Sequence, residues 1–495
     1  MSAVVSKKKR DRQSASQAPA RHSGEGRNPG SVTPSRLENG WTRVPLAKVG
    51  EWRGGGTPSK TNPAFWESGH IPWVSPKDMK SDVITDTQDH ITEEAVTNSA
   101  TNLVDAGSVL LVVRSGILQH TLPVAIASRQ VALNQDIKAV RPRKEIRADY
   151  LALVLKAHER EILHRCTKTG TTVQSLELPV FLRFEIPVAP PEEQPRIVAE
   201  IEKQFTRLDA GVAALRRVQA NLKRYRAAVL KAACEGRLVP TEAELAKAEG
   251  RTYETGEQLL ARILADRRKN WHGRGKYKQS AAPDTTNLPL LPEGWTWASL
   301  DQMAWSSAYG TSTKCSYDGA GPPVLRIPNI AAGRIDVSDL KFATTNFSMD
   351  AGDELMPGDL LVIRTNGSRD LIGRSAVVRT QFGNMVGYAS YLIRFRLWKS
   401  STLFDWVGSI WNVSFLRGWI EQRAATSAGQ HNISMSVLSA MPIPLPPLAE
   451  QTRIVAEVER RLSVIEELEA TIAANLQRAT RLRQSILQRA FTTRQ

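Results

Sequence analysis

Cysteine is nearly absent from this 495-residue chain: only Cys166, Cys234 and Cys315 occur, far apart and without metal-ligand spacing. They exclude a disulfide framework and suggest no zinc site, and they read as ordinary buried or half-buried residues. Acidic residues are in deficit, 50 against 66 Lys plus Arg, leaving a formal charge of +16. That balance favours a polyanionic partner, with nucleic acid ahead of an acidic membrane surface. No stretch approaches eighteen consecutive apolar residues, and the amino terminus lacks the apolar core of a signal peptide, so the expected setting is the cytoplasm.

Catalytic signatures are missing too. GRGKYK has neither the spacing of a phosphate loop nor a hydroxyl after its lysine. NPAF, Asn62 to Phe65, approaches the Asn-Pro-Pro-aromatic motif that holds a flipped base's amino group, but the second proline is absent and no strand, Gly-rich turn and helix for a cofactor lies nearby. A turn is the expectation there. The histidines are scattered without metal-binding spacing, and no catalytic or metal site is expected.

What the chain does contain is a long repeat. EEQPRIVAEIEKQF, from Glu192, returns as AEQTRIVAEVERRL, from Ala449, at the offset of 257 that separates Gln194 from Gln451. Upstream, LENGWTRVPL from Leu37 answers LPEGWTWASL from Leu291, and GGGTPSK from Gly54 answers AYGTSTK from Ala308. AGSVLLVVRSG (from Ala106) answers PGDLLVIRTNG (from Pro357), and EIPVAPP (from Glu185) answers PIPLPP (from Pro442). A spacing this long marks a duplicated half-protein rather than a solenoid.

Within each half the apolar runs are short, β-branched and punctuated by Gly, Pro and Asn, which predicts strands. Residues 148–165 and 402–424 carry helical spacing, so each variable domain is expected to be α+β and β-rich. The segments that follow repeat apolar residues every seven positions: Ile201, Leu208, Leu215, Leu222 and Val229, then Val458, Ile465, Ile472, Ala479 and Ile486. About 44 residues at ~1.5 Å each give a rod of about 66 Å, too long to pack wholly on one domain of this size, so the two helices are expected to pair as an antiparallel coiled coil.

The expected division is a disordered basic tail over 1–36, a variable domain over 37–190, a helix over 191–235, a linker with a helix over 236–290, a second variable domain over 291–447 and a second helix over 448–495. The tail carries +6 of the charge, so about +10 belongs to the rest. The linker stretch GEQLLARILADRRKNWHGRGKYK begins amphipathic and turns basic, which suits either a solvated helix or docking on a partner or DNA.

Together, the PxPPxxEQxRIVAExE stretch entering both long helices, the GWTxxxL openings, GGGTPSK followed by IPWVSPKDM, and the linker ETGEQLLARILADRRKNW resemble the specificity subunit of type I restriction-modification enzymes over roughly residues 37–490. The resemblance implies two target recognition domains, each reading half of a split, asymmetric DNA site. It further implies two modification subunits as partners, with motor-nuclease subunits joining them. The chain itself would bind no cofactor, and its partners would use S-adenosylmethionine, ATP and Mg. On this reading the candidate DNA contacts are Lys60, Ser75, Lys77 and Arg114 in the first domain and Lys314, Arg326, Asn329, Arg364, Asn366 and Arg369 in the second. The alternatives are an enzyme that methylates or cuts DNA by itself, and a coiled-coil structural protein without sequence readout.

Overall fold

The computed structural model describes residues 40–168, 173–271, 275–344, 354–383, 385–427 and 429–492. The basic tail lies outside them. The chain divides into two compact units, 1–208 with 481–495, and 209–480.

In the first unit, Gly50–Gly54, Ile137–Pro142, Val109–Val112, Val124–Ala127 and Val83–Ile84 form a five-stranded sheet in that order. Its central strand, VLLV, is buried on both faces, which is why it reads as an unbroken apolar run. A second sheet orders Asp89–Ile91, Ile71–Val74, Val131–Leu133 and Asn102–Val104, with its middle pair parallel. Thr42–Pro45 pairs antiparallel with Glu185–Val188 and closes the domain where the long helix begins.

The second unit repeats this plan. Ala304–Tyr309, Leu392–Leu397, Asp359–Ile363 and Ser375–Val377 correspond to the first four strands of the larger sheet. Pro323–Leu325 lies parallel to Gly387–Tyr388, and Thr296–Ser299 with Pro442–Leu445 closes the domain. The glycines of the GGGT and YGT stretches have a common cause. A Cβ on Gly56 would lie 2.5 Å from the Ala100 carbonyl oxygen, and one on Gly310 would lie 2.2 Å from that of Tyr388. Only glycine permits so close a backbone approach.

The expected domain helices are each broken in two. Ala148–Ala157 gives way to Glu159–Cys166, with the His158 ring nitrogen 2.9 Å from the Val154 carbonyl oxygen, and Ser401–Ile410 gives way to Ser414–Arg423. Proline causes neither break. The linker helix, Gly256–Lys269, packs its apolar face on the second unit's core, where Leu259 and Ile263 are fully buried, and leaves Arg268 and Lys269 exposed; Thr255 caps it with a capping box.

The long helices run Gln194–Cys234 and Leu448–Phe491. In the first unit the early turns of one meet the last turns of the other: Ile201 shares a core with Leu487 and Phe491, and the Phe205 ring lies 4.1 Å from the Arg483 guanidinium. In the second unit Leu222, Ile465 and Ile472 form a cluster with Leu215, and Arg226 bonds Glu469 at 3.2 Å. Both contacts are antiparallel. Ile201, Leu222, Val229, Val458, Ile465 and Ile472 are buried, while Leu208, Leu215, Ala479 and Ile486 are partly so. Each fully buried side chain contributes about 1.5–3 kcal/mol.

Candidate nucleic-acid interface

The repeated sequence motifs build the mount that carries each domain. Trp41, from the first GWT, donates its indole N–H to Glu193 at 3.2 Å, and Trp295, from the second, donates to Glu450 at 3.0 Å. The domain's opening residues are thereby tied to the head of its own long helix. The adjoining glutamines, Gln194 and Gln451, are fully buried. Gln194 donates to the carbonyls of Glu145 and Ala189 and accepts from the Arg147 N–H, all at 2.9 Å. It thus fixes the turn before helix Ala148–Ala157.

On the first domain, Lys60 sits in the exposed turn after the glycine loop, and its side chain has no partner among the described residues. Ser75 is buried, and both its hydroxyl and its backbone N–H donate to Asp78, at 2.7 and 2.9 Å, so its polar groups shape a turn. Lys77 is exposed and pairs with Asp89 at 2.7 Å, a hydrogen bond that holds its ammonium above the usual lysine range. Arg114 bonds Asp136 at 2.6 Å with its side chain 53% exposed. Surface pairs of this kind are worth only ~0–1 kcal/mol, so exchanging the aspartate for a phosphate costs little. Asn62 caps the short helix Pro63–Phe65 by accepting from the Ala64 N–H, and NPAF is therefore the expected turn.

On the second domain, Lys314 is exposed with no side-chain partner among the described residues, whereas Asn329 is buried and saturated. The Asn329 amide donates to the Asp336 and Asp339 carbonyls and accepts from the Arg326 N–H. Arg326 is mostly buried and pairs with Asp339 at 3.2 Å. The Arg364 guanidinium lies 4.6 Å from the Tyr309 ring centre, Asn366 accepts from the Ser368 N–H, and Arg369 is exposed with a 3.3 Å bond to the Glu421 carbonyl. Ser75 and Asn329 therefore serve the scaffold. Lys60, Lys77, Arg114, Lys314 and Arg369 stand at the surface.

Two features escaped the sequence reading. Tyr317 is 64% exposed beneath Lys341 at 4.8 Å and close to Arg326 at 6.0 Å, an aromatic–cation surface suited to nucleic acid. Its signal was an aromatic three residues after Lys314. The second is a hairpin beside each RSG or RTNG turn. Thr167–Lys168 pairs with Ser175–Leu176, and Ser175 bridges Arg114. Ala425–Ser427 pairs with Gln430–Asn432, which pairs with Thr365–Asn366. These strands are short and polar, so no apolar alternation announces them.

Among the described residues there is no cluster able to hold a metal ion and no helix long and apolar enough to cross a membrane. Residues 38–214 match the family described as the type I restriction modification DNA specificity domain. The chain is 41% identical over 181 residues to the Escherichia coli EcoR124I/EcoR124II specificity subunit, covering 36% of this chain and 45% of that one. It is 25% identical over 352 residues to the EcoKI specificity subunit of Escherichia coli K12, covering 71% of this chain and 66% of that one. The matches thus span less than two thirds of these relatives. A solved chain from work on assembly and conformational transition of the type I R-M system has the same fold, with a TM-score of 0.61 at 19% identity over 92% of this chain and 99% of that one.

Proposed function

Since the chain belongs to the type I restriction-modification specificity-subunit family, we propose that it reads a bipartite, asymmetric DNA target, each unit's domain addressing one half-site. One observation carries this reading: a duplicated frame, with matching strand pairing and matching Trp–Glu ties, holds surfaces that differ between the units. Identical frames give two readers equivalent mounts, and different surfaces give them different bases to read. Exposed cations such as Lys60 and Lys314 position the duplex by phosphate contact, and polar groups around the turns after Val109–Val112 and Asp359–Ile363 meet base edges.

On this reading the chain performs neither methyl transfer nor cleavage. Modification subunits and motor-nuclease subunits, using S-adenosylmethionine, ATP and Mg, supply that chemistry on DNA in the cytoplasm. The relatives' designation as specificity subunits supports this division of labour. The test is selection of bound DNA from a random pool by the chain with its modification subunit, alongside a methylation assay of the chain alone. A split consensus and an inactive lone chain are expected. A single uninterrupted consensus, or cofactor-dependent methylation by the purified chain, contradicts the proposal.

A further inference from the structure

Backbone pairing makes particular places in the two domains equivalent, and at two of them the side chains differ in charge. Val74 lies beside Leu133 in a parallel pair, as Leu325 lies beside Tyr388. On the antiparallel side of the same strands, Trp73 faces Asp89 where Val324 faces Lys341. Beyond Leu133, the Asp136 carbonyl accepts from the Val113 N–H at 2.8 Å; beyond Tyr388, the Tyr391 carbonyl accepts from the Arg364 N–H at 2.9 Å. One carboxylate of the first domain is thus a lysine in the second, and another is a tyrosine.

The exchange changes what each cation meets. In the first domain Asp136 holds Arg114 at 2.6 Å and Asp89 holds Lys77 at 2.7 Å, so both cations already face a carboxylate. In the second, the Arg364 guanidinium lies 4.6 Å from the Tyr309 ring centre and the Lys341 ammonium 4.8 Å from that of Tyr317, and neither pairs with a carboxylate among the described residues. Tyr309, Tyr317 and Tyr391 are exposed, whereas no Phe, Tyr or Trp within 40–190 is exposed among the described residues. A cation over a ring keeps its whole charge for a phosphate, and an exposed ring adds flat contact area for a base or sugar.

We propose that the second domain is the anchor of the complex: Tyr317 with Lys341, and Tyr391 with Tyr309 and Arg364, make its half-site the one that supplies most of the affinity for DNA. The first domain, whose cations are matched by carboxylates, adds less. This rests on the reading that each domain addresses one half-site, and it adds an unequal division of binding between them.

The test takes the chain assembled with its modification subunit and measures anisotropy on labelled duplexes that keep only one half of the selected consensus, the halves being assigned by replacing residues 37–190. The duplex keeping the second domain's half should bind about tenfold more tightly than the other. Lys341→Asp should remove most of that excess, Tyr317→Ala should lower it severalfold, and Tyr317→Phe should preserve it, with binding of the other duplex unchanged. Asp89→Lys, in the first domain, should raise binding of the first domain's half severalfold. Equal affinities for the two duplexes overturn the proposal. So does an Asp89→Lys complex that gains nothing, whatever becomes of the variants in the second domain. If the unaltered complex selects no split consensus, the DNA reading itself fails; a split consensus with equal halves sinks this inference alone.

Discussion

The heads of the two long helices share a motif but not an environment. Gln194 has both ends of its amide satisfied, whereas the Gln451 side chain makes one bond among the described residues, to the Pro446 carbonyl at 2.8 Å, and its buried oxygen has no partner among them. The adjoining glutamates differ in the opposite sense. Glu450 is fully buried and takes two donors, and burial pushes its carboxyl above the usual range; Glu193 is half-buried and takes one donor. Identical letters thus do unequal work: in the first unit the glutamine holds the Glu145 and Ala189 carbonyls and the Arg147 N–H, and in the second the glutamate holds the Glu242 N–H and the Trp295 indole.

The sharpest way to break this comparison is a matched pair of substitutions. Gln194→Leu strands two carbonyls and one N–H and should destabilise the first unit by about 3 kcal/mol, whereas Gln451→Leu loses one bond and should cost about 1 kcal/mol. Hydrogen exchange of the closing pairs Thr42–Pro45/Glu185–Val188 and Thr296–Ser299/Pro442–Leu445 reads each unit separately. Equal losses would show that the shared motif, and not its surroundings, sets the contribution.

An acid titration gives a smaller, signed difference. Burial opposes ionisation of Glu242, but hydrogen bonds from Arg251 and Arg453 outweigh it and hold the carboxyl below its ordinary value of 4.5. Its stabilisation is present above that value and is lost as pH falls through the lowered one. Glu450 runs the other way: its contribution is full below 4.5 and declines as pH rises through the raised value. Protection of the second unit's closing pair should therefore fall on the acid side of 4.5, and Glu242→Gln should remove that acid limb. The first unit has no counterpart of Glu242 among the described residues. Persistence of the limb in the variant would assign it elsewhere.

The smallest expected effect is in DNA binding. Lys60→Ala and Lys314→Ala remove corresponding exposed cations, and each should lower affinity severalfold and reduce the salt-dependence slope by about 1. Ser75→Ala should leave that slope unchanged while costing about 1 kcal/mol of stability. A slope that responds to Ser75 and not to Lys60 would reverse the assignment.

These contrasts show what a single sequence can carry. The repeat, the strand-rich domains and the heptad positions were legible because periodicity survives burial: Ile465 and Ile472 are apolar for the same reason that they are buried. Trp41 with Glu193 was visible only as two motifs 152 residues apart, and nothing local says that an indole N–H meets a carboxylate. Ser75 and Asn329 looked like base readers because the side chains that hydrogen-bond bases also hydrogen-bond turns. Which use applies depends on burial, and burial is a tertiary fact. The linker's basic stretch drew attention to charge, while Leu259 and Ile263 decided where its helix lies.

The central claim is that two surfaces on equivalent mounts read two half-sites separately. Its most direct test replaces residues 37–190 with the matching domain of another specificity subunit and maps the sequence methylated by the assembled complex. One half of the split consensus should change while the other stays as it was. A change in both halves would contradict separate reading.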